Sequence, residues 1–237
     1  MTYLTQLQQQ SNKETLRRKK EYIQYNFGKF IDCRLQKINC RVLEIGPGLG
    51  EFVEYCNDKE VQAIDVIDRD KGILTYLRST YKINQSFDSL TLFFDKKGGL
   101  YDIIMLTQVL EHIPKEEHID LLKKLYGRLS VGGIILITVP NIGNPLAIYE
   151  RYYDYTHETA FTDHSLIQMA DFADLAKSEV FLRPFRIPPY SLINILRSAL
   201  QSLLHVIFKL LFIVNGGVYP RILTTNISLI IEKKIIE

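Results

Sequence analysis

The chain has 237 residues, of which 46% are hydrophobic, so it is long enough to bury a full core as one domain. Its formal net charge is only +2, which argues against nucleic acid as a partner, because phosphate binding needs a clustered basic face. The three cysteines, Cys33, Cys40 and Cys56, have neither metal-ligand spacing nor the density of a disulfide scaffold.

The first 38 residues are predicted to form a helical lead-in. Residues 1–10 are polar and lack the apolar segment of a signal peptide, so we expect a cytoplasmic protein. The basic cluster at 17–20 is interpreted as a solvated helix face rather than a nucleic-acid or membrane contact. Four aromatic residues on this helix are expected to cover a ligand cleft or to pack on a sheet edge: Tyr22, Tyr25, Phe27 and Phe30.

Residues 42–50 read Val-Leu-Glu-Ile-Gly-Pro-Gly-Leu-Gly, an apolar strand followed by three glycines spaced two apart. Glycine lets the backbone turn sharply and lie against a ligand. A dinucleotide-binding loop needs glycine at its sixth position, and that position is Glu51 here. Glu44 would repel a pyrophosphate but suits a cofactor that carries an ammonium and a sulfonium. The loop therefore predicts an S-adenosylmethionine site.

The next two strands supply further acids. An apolar strand over 61–65 is predicted to end at Asp65, about twenty residues beyond the loop, where a carboxylate meets ribose hydroxyls. Asp68 and Asp70 are interpreted as helix-start residues of a helix over 69–81. A third strand is expected to end near Asp88.

Strand and helix patterns alternate from residue 41 to 139, which predicts a parallel sheet covered by helices, with ligands at the carboxyl ends of the strands. A fourth strand is predicted over 101–106 and a helix over 116–129. Gly132 and Gly133 are expected to stop that helix before a buried strand at 134–139.

A dense polar segment follows. Residues 151–158 read Arg-Tyr-Tyr-Asp-Tyr-Thr-His-Glu, a density more typical of a ligand site than of a plain connection. His157 is a candidate to take a proton from an acceptor hydroxyl, with Glu158 or Asp154 orienting its ring. The alternative is that His157 and Glu158 brace the helix that begins near Thr162.

His112, which follows the fourth strand, is the second catalytic candidate, and the alternative for it is a hydrogen bond to a neighbouring backbone group. The remaining histidines carry no pattern of interest. Because no set of ligands has recognisable spacing, no metal site is predicted.

Residues 191–214 are predicted to form an amphipathic helix with a narrow polar stripe. Arg197 and Lys209 interrupt it, which argues against a membrane span. Its wide apolar face needs cover from the chain's own sheet, a second subunit or a membrane surface, and packing in the core or in a homodimer is preferred over peripheral membrane contact. Residues 226–232 are predicted to be the last strand.

Together these segments resemble the class I S-adenosylmethionine-dependent methyltransferases, and within them the ubiquinone-biosynthesis-type branch and its relatives associated with bacterial capsular polysaccharide. The resemblance implies a Rossmann-like α/β fold with a mostly parallel seven-stranded sheet. It implies a single domain with a helical cap (1–38), a cofactor-binding core (39–185), and an amphipathic helix with the final strand (186–237). The matching segments are 43–50, 63–65, 101–114, 129–141 and 154–166.

The resemblance also implies site roles. Glu44 and the loop glycines would cradle the methionine part of the cofactor, and Asp65 would bind the ribose. Asp88 and the backbone of Ser89 would receive the adenine amino group. The loop glycines are Gly46, Gly48 and Gly50, and Gln108 and Val109 would lie near the reactive methyl group. The dense segment at 151–158 supplies the candidates for binding the acceptor, which are Arg151, Tyr152, Asp154 and Tyr155.

Three functions are compatible with the sequence. The first is an O-methyltransferase in surface-polysaccharide assembly that acts on a small polar acceptor, either a sugar hydroxyl or a phosphate-type group on a nucleotide-linked precursor. The second is a methyltransferase for an apolar quinone or lipid, which the helix at 191–214 would suit. The third is a nicotinamide-dependent oxidoreductase, which Glu44 and Glu51 oppose, or a module that binds the cofactor without catalysis, which the polar residues of 151–158 oppose.

Overall fold

The computed structural model describes residues 3–10, 13–175 and 178–234. Its centre is a seven-stranded sheet with the strand order β3-β2-β1-β4-β5-β7-β6. The strands are β1 (Arg41–Ile45), β2 (Ala63–Ile67), β3 (Gln85–Phe87), β4 (Tyr101–Thr107), β5 (Leu129–Pro140), β6 (Ser178–Pro184) and β7 (Asn226–Lys233). The helices are α1 (Tyr3–Gln10), α2 (Lys13–Leu35), α3 (Glu51–Asp58), α4 (Lys71–Thr80), α5 (Leu90–Asp95), α6 (His118–Gly127), α7 (Ile148–Tyr153), α8 (Asp163–Ala173) and α9 (Leu192–Val214).

Strand direction decides where a ligand can bind. Strands β1 to β5 pair in parallel, and β7 runs antiparallel between β5 and β6. The ends of β1 to β6 and the start of β7 therefore lie along one side of the sheet, which we call the carboxyl edge. In open α/β sheets ligands bind at this edge. The predicted Rossmann-like α/β class and the helix inserted before the last strand are confirmed.

Hydrophobic clusters cover both faces of the sheet. One cluster includes Leu43, Ile104 and Leu166, and the other includes Val42, Ile64 and Phe27. Neighbouring strand residues point to opposite faces, so the nearly continuous apolar runs of β1 and β4 supply both clusters. This is the pattern of a parallel sheet with helices on both sides.

The leading helix α2 packs on the face of the sheet and does not only cover its edge. Phe27 and Ile31, two residues of α2, are fully buried. Arg34, also buried, donates to the backbone oxygen of Gly132 at 2.9 Å and pairs with Glu232 at 2.5 Å. The aromatic residues predicted on this helix thus include core residues.

The exposure of α9 contradicts the expectation that the chain's own core covers its apolar face, and the homodimer alternative stays a prediction. Phe208 is its buried residue, while its other large apolar side chains on the outer side are exposed. By length and composition α9 is the one helix among the described residues that is apolar enough to cross a membrane. The chain's own sheet does not cover its apolar face.

Candidate active site

The glycine loop turns between β1 and α3 with three glycines at positive φ angles of 67°, 53° and 87°, at Gly46, Gly48 and Gly50. A Cβ on Gly46 would lie 2.3 Å from Cγ2 of Val109, and one on Gly50 would lie 2.7 Å from the side chain of Leu77. A Cβ on Gly48 would meet a single side-chain oxygen at 3.8 Å. Two glycines thus allow close packing, and the middle one keeps the concave side of the loop free for a ligand.

Acidic side chains gather beside this loop. Glu44 is buried, and its Oε2 atom has no hydrogen-bond partner. Burial raises the pKa of Glu44 well above its ordinary value of 4.5, and the nearby carboxylates of Glu51 and Asp68 raise it further. Lys19 of α2 pairs with Glu51 at 2.6 Å. A buried, unpartnered carboxyl oxygen next to a free loop fits a ligand that brings a positive charge.

Asp65 does not lie at this site, which corrects its assignment to the ribose. The strand β2 continues to Ile67, so Asp65 lies in its middle with 1% of its surface exposed. Its two carboxylate oxygens accept hydrogen bonds from three side chains, Tyr101 at 2.7 Å, Asn84 at 2.7 Å and Arg41 at 3.2 Å. This set of partners makes Asp65 a structural residue of the sheet.

Asp68 takes the position at the carboxyl end of β2. Its backbone N–H donates to the oxygen of Phe87, and its Oδ1 accepts the N–H of Asp70 at 2.8 Å. Burial is the main cause of a raised pKa for Asp68. Asp70 caps α4 by accepting the N–H groups of Gly72 and Ile73, as predicted for a helix-start residue. Of the two acids interpreted in that way, only Asp70 is a helix cap.

The adenine candidates lie next along the carboxyl edge. Asp88 and Ser89 follow β3, and Ser89 caps α5 by accepting the N–H of Leu92 at 3.2 Å. Lys71 lies 3.5 Å from the Asp88 carboxylate in an exposed pair. Because β3 pairs with β2, Asp88 is the neighbour of Asp68 at this edge, and its role toward adenine stays a prediction.

Gln108 and Val109 follow β4. Gln108 has a φ of 56°, a strained value for a residue with a side chain. Its N–H donates to the oxygen of Thr138, and its side-chain amide donates to Asn226 at 3.0 Å. The side chain of Gln108 thus ties β4 to the start of β7, while Val109 packs against Gly46.

His112 is oriented through a hydrogen-bonded chain. Thr156 donates its hydroxyl proton to Asp154 at 2.7 Å, so its oxygen accepts from Nδ1 of His112 at 2.9 Å. This arrangement leaves Nε2 of His112 as the nitrogen with a free lone pair. Burial, followed by the proximity of His157, lowers the pKa of His112, which keeps its ring neutral at neutral pH.

His157 lies beside it, with ring centroids 4.6 Å apart. Its Nδ1 is 2.8 Å from the backbone oxygen of Glu150. A carbonyl only accepts, so Nδ1 of His157 carries the proton. The predicted orientation of His157 by Glu158 or Asp154 is therefore corrected: a backbone carbonyl orients His157, and Asp154 acts through Thr156 on His112.

Glu111 is a central residue that the sequence analysis missed. Its side chain is 1% exposed, both carboxyl oxygens lack hydrogen-bond partners, and burial raises its pKa to about 8. Its backbone oxygen accepts the N–H groups of Glu158 and Thr159, which holds the loop after α7 against the end of β4. Glu158 thus contributes through its backbone, and its side chain is exposed.

The donor atoms of Glu111, His112 and His157 lie within 4.8 Å of one another, close enough to hold a metal ion. The sequence spacing did not predict this grouping, because the loop after α7 brings His157 to the other two. A carboxyl group and two imidazoles can equally share a proton. The structure therefore gathers three titratable side chains after β4 that can share a proton or hold an ion.

The predicted acceptor-binding residues lie on α7 and directly after it. We call this segment, residues 151–155, the outer wall. Arg151 donates to the backbone oxygen of Glu158 at 3.0 Å, and its guanidinium lies 5.4 Å from the ring of Tyr152. Tyr152 and Tyr155 are exposed. Their role toward an acceptor stays a prediction.

Comparisons with known proteins agree with this geometry. A family model described as a methyltransferase domain matches residues 8–179. No curated protein matches the chain. Solved structures share the fold, including an S-adenosylmethionine-dependent methyltransferase from Archaeoglobus fulgidus, with 17% identity, 90% of this chain and 94% of that one covered, and a TM-score of 0.62.

Two further structures are similar. The plantazolicin methyltransferase BamL, solved with a triazolic analogue and S-adenosylhomocysteine, has 14% identity, covers 98% of this chain and 91% of its own, and gives a TM-score of 0.64. The methyltransferase domain of a bacterial Hen1 protein has 15% identity, covers 89% of this chain and 99% of its own, and gives a TM-score of 0.55. The methyltransferase family model, which matches more than half of the chain, excludes the oxidoreductase alternative.

The residues present fit S-adenosylmethionine, since the unpartnered Glu44 oxygen and the free side of Gly48 suit its charged methionine part. The predicted cofactor is confirmed. The chain belongs to the methyltransferase family and is an S-adenosylmethionine-dependent enzyme.

Proposed function

We propose that this methyltransferase acts on an oxygen of a small polar acceptor, a sugar hydroxyl or a phosphate-type group, in surface-polysaccharide assembly on the cytoplasmic side. The observation that carries the proposal is the free Nε2 of His112, held neutral beside His157 at the carboxyl edge. A neutral imidazole with an available lone pair is suited to take a proton from a hydroxyl group.

The cofactor residues follow from the same edge. The Glu44 carboxyl and the glycine loop would hold the methionine part, Asp68 the ribose, and Asp88 with Ser89 the adenine. When bound, the cofactor supplies an electrophilic methyl group on a sulfonium. The chain's main task is then alignment, because holding reactants in line within a closed site can lower a barrier by about 7–11 kcal/mol in ideal cases.

His112 is the proposed general base, a change from the sequence-based preference for His157. The acceptor hydroxyl gives its proton to Nε2 of His112 while its oxygen gains the methyl group. The positive charge formed on the ring is stabilised through Thr156 by Asp154, whose pKa is lowered by its two hydrogen bonds from Thr156. His157 is held by a neutral carbonyl and lacks this support.

The nature of the acceptor decides whether the base is needed. A neutral sugar hydroxyl must lose its proton, whereas a phosphate oxygen is already anionic at neutral pH. Arg151 on the outer wall offers a cation to a phosphate group of the acceptor or of a nucleotide carrier. An apolar quinone or lipid acceptor is the second candidate, and the exposed face of α9 at the same edge favours it.

The first experiment is calorimetric titration of the purified chain with S-adenosylhomocysteine. A screen follows in which release of that product is measured with nucleotide-activated sugars and sugar phosphates, with a catechol-type quinone precursor in parallel. Turnover of a sugar or phosphate acceptor supports the proposal. Turnover of the quinone precursor alone would overturn it in favour of the second candidate.

A matched pair of variants assigns the base. His112→Asn is compared with His164→Asn, which changes an exposed histidine on α8. If a hydroxyl is the acceptor, His112→Asn should lose most turnover and His164→Asn should lose none. Full turnover by His112→Asn would show that this histidine is not the base.

A further inference from the structure

The helix α9 has its amphipathic pattern reversed relative to a core helix. Eight residues of α9 are not exposed, and five of them are polar and recur every three or four positions: Asn194, Ser198, Gln201, His205 and Lys209, beside the apolar Leu204, Phe208 and Phe212. The exposed outer positions are almost entirely apolar: Leu192, Ile193, Ile195, Leu196, Leu200, Leu203, Val206, Ile207, Leu210, Leu211, Ile213 and Val214. In a helix that packs into a water-soluble core the apolar stripe faces inward. The outer face of α9 therefore requires an apolar environment outside the protein.

Contacts along the helix fix this orientation. The amide of Asn194 donates to the backbone oxygen of Pro188 at 2.9 Å, Phe208 is buried, and Lys209 lies over the ring of Tyr219 at 5.5 Å. Between α9 and the body lies a cleft of about 420 Å³ lined in part by Gln201 and His205. The helix thus lies along the protein surface with its polar side inward.

The segment that carries α9 is basic. Residues 180–231 contain five basic side chains and no acidic one, although the net charge of the whole chain is only +2. Arg186 and Arg221 line the cleft on the inner side of α9, and Arg197 is exposed on the helix itself. Basic residues next to an embedded apolar helix attract anionic lipid headgroups, at about 1 kcal/mol for each residue near the surface.

Exposed tyrosines lie just outside both ends of the helix. Tyr190 precedes α9 and Tyr219 follows it, and both rings are partly open to solvent. Tyrosine is enriched where a membrane meets water, because its ring is apolar and its hydroxyl is polar. The residues at the two ends of α9 therefore suit the membrane–water interface rather than the bilayer interior.

We propose that α9 docks this methyltransferase on an anionic lipid bilayer, with the helix lying in the plane of the membrane surface and its outer face among the acyl chains. A spanning orientation conflicts with the burial of Phe208 and with the cleft that Gln201 and His205 line together with Tyr25 of α2, because both place this side of the helix against the body. A helix of 23 residues is about 35 Å long, so one in-plane helix offers a long apolar strip.

A second copy of the chain fits the face less well. A two-fold contact would bring each patch onto itself. Arg197, the cation exposed on α9, would then lie near its own copy, with no acidic side chain on the helix to pair with it. An anionic lipid surface supplies the opposite charge that a second copy lacks.

The proposal has a consequence for the acceptor. The helix connects β6 to β7 at the carboxyl edge, where the candidate catalytic histidines also lie. Docking through α9 would bring that edge to the membrane, within reach of a polar group carried on a lipid. This consequence rests on the proposed function, whereas the docking itself does not.

Vesicle flotation of the full chain tests the docking without any methyl transfer. The vesicles are phosphatidylcholine alone or phosphatidylcholine with phosphatidylglycerol, and flotation is used because aggregates sediment. The test variant is Leu203→Glu with Leu210→Glu, at positions that are 61% and 56% exposed. The control variant is Leu92→Glu with Val131→Glu, at positions that are 55% and 52% exposed away from α9.

We expect the wild type and the control variant to float with the anionic vesicles and the test variant to lose at least tenfold in bound fraction. S-adenosylhomocysteine binding by the test variant shows that it is folded. No flotation of the wild type, or flotation unaffected in the test variant, would overturn the docking. A wild-type dimer that the test variant alone dissociates, without flotation, would assign the face to a second copy. If the wild type bound equally well to vesicles of phosphatidylcholine alone, the proposed attraction between the basic residues and anionic lipids would be wrong.

Discussion

The imidazole rings of His112 and His157 lie with their centroids 4.6 Å apart, although one follows β4 and the other belongs to the loop after α7. The contact exists because the backbone oxygen of Glu111 accepts two N–H groups of that loop. Each Nδ1 has its own hydrogen-bond partner. The two rings therefore present Nε2 atoms whose lone pairs are available to an acceptor.

Replacing each histidine separately should distinguish their roles. We expect His112→Asn to lower kcat about a hundredfold or more on a hydroxyl acceptor, in the range of general-base catalysis. His157→Asn should lower kcat about tenfold, because His157 lies beside the base but lacks the hydrogen bonds that connect His112 through Thr156 to Asp154. The measurement is steady-state product release, with S-adenosylhomocysteine affinity expected to change less than about twofold.

Glu158→Gln is the control for this pair. Its side chain is exposed and it holds the loop through its backbone, so we expect wild-type turnover. A large loss of turnover in Glu158→Gln would restore the role that the sequence analysis gave it. A larger loss of turnover in His157→Asn than in His112→Asn would show that His157 is the general base and His112 its neighbour.

Chelation should leave the activity unchanged. Burial raises the pKa of Glu111 to about 8, so this carboxyl holds its proton at neutral pH, and a protonated carboxyl is a weak metal ligand. The expected result is the same kcat with and without EDTA. Loss of activity in EDTA with recovery on adding Mg²⁺ or Mn²⁺ would assign the Glu111, His112 and His157 group to a metal instead.

Two aspartates in and after β2 should behave in opposite ways. Asp68→Asn is expected to weaken S-adenosylhomocysteine binding about ten- to a hundredfold, as for a lost hydrogen bond to a charged group, with little change in stability. Asp65→Asn is expected to lower the free energy of unfolding by about 3 kcal/mol, since it disrupts a buried charge held by three partners.

Calorimetry and denaturant unfolding check both variants. The folded fraction of Asp65→Asn should bind the product with wild-type affinity. Loss of binding in a stable Asp65→Asn protein, together with normal binding in Asp68→Asn, would return the ribose to Asp65.

The strand pattern of this chain made most of the fold predictable. Apolar runs such as 103–106 and 134–139 are long, and glycines or acids bound them, so the parallel sheet followed from local chemistry. The end of β2 was misplaced because an acid inside a strand looks like the end of that strand. Val66 and Ile67, two β-branched residues after Asp65, were the signal that the strand continues.

The candidate site was predictable only in part. The glycine loop and Glu44 are local in sequence, so their spacing was informative. The pairing of His112 with His157 depends on how the loop after α7 folds back on Glu111, and no local pattern encodes that. The exposure of α9 was likewise missed, because a sequence shows the width of an apolar face but not which side the body covers.

Binding of the cofactor should depend on pH through Glu44. Burial and the carboxylates of Glu51 and Asp68 raise its pKa, so the folded protein without cofactor binds a proton that the unfolded chain releases near its ordinary value of 4.5. The free energy of unfolding should therefore fall as pH rises above that value. The ammonium group of the cofactor favours the ionised carboxylate and displaces the proton, so affinity should increase with pH.

Glu44→Gln tests this linkage, because it keeps the shape of the side chain and removes its charge. We expect the variant without cofactor to be more stable than the wild type at pH 8, and to bind S-adenosylhomocysteine about ten- to a hundredfold more weakly. Its affinity for S-adenosylhomocysteine should also vary less between pH 6 and pH 8. The pH dependence that remains is expected to come from Asp68, whose pKa is raised as well. Calorimetry across this range measures the slope directly. A variant that binds as tightly as the wild type at pH 8 would show that Glu44 does not contact the ammonium group, and its unpartnered oxygen would then need another explanation.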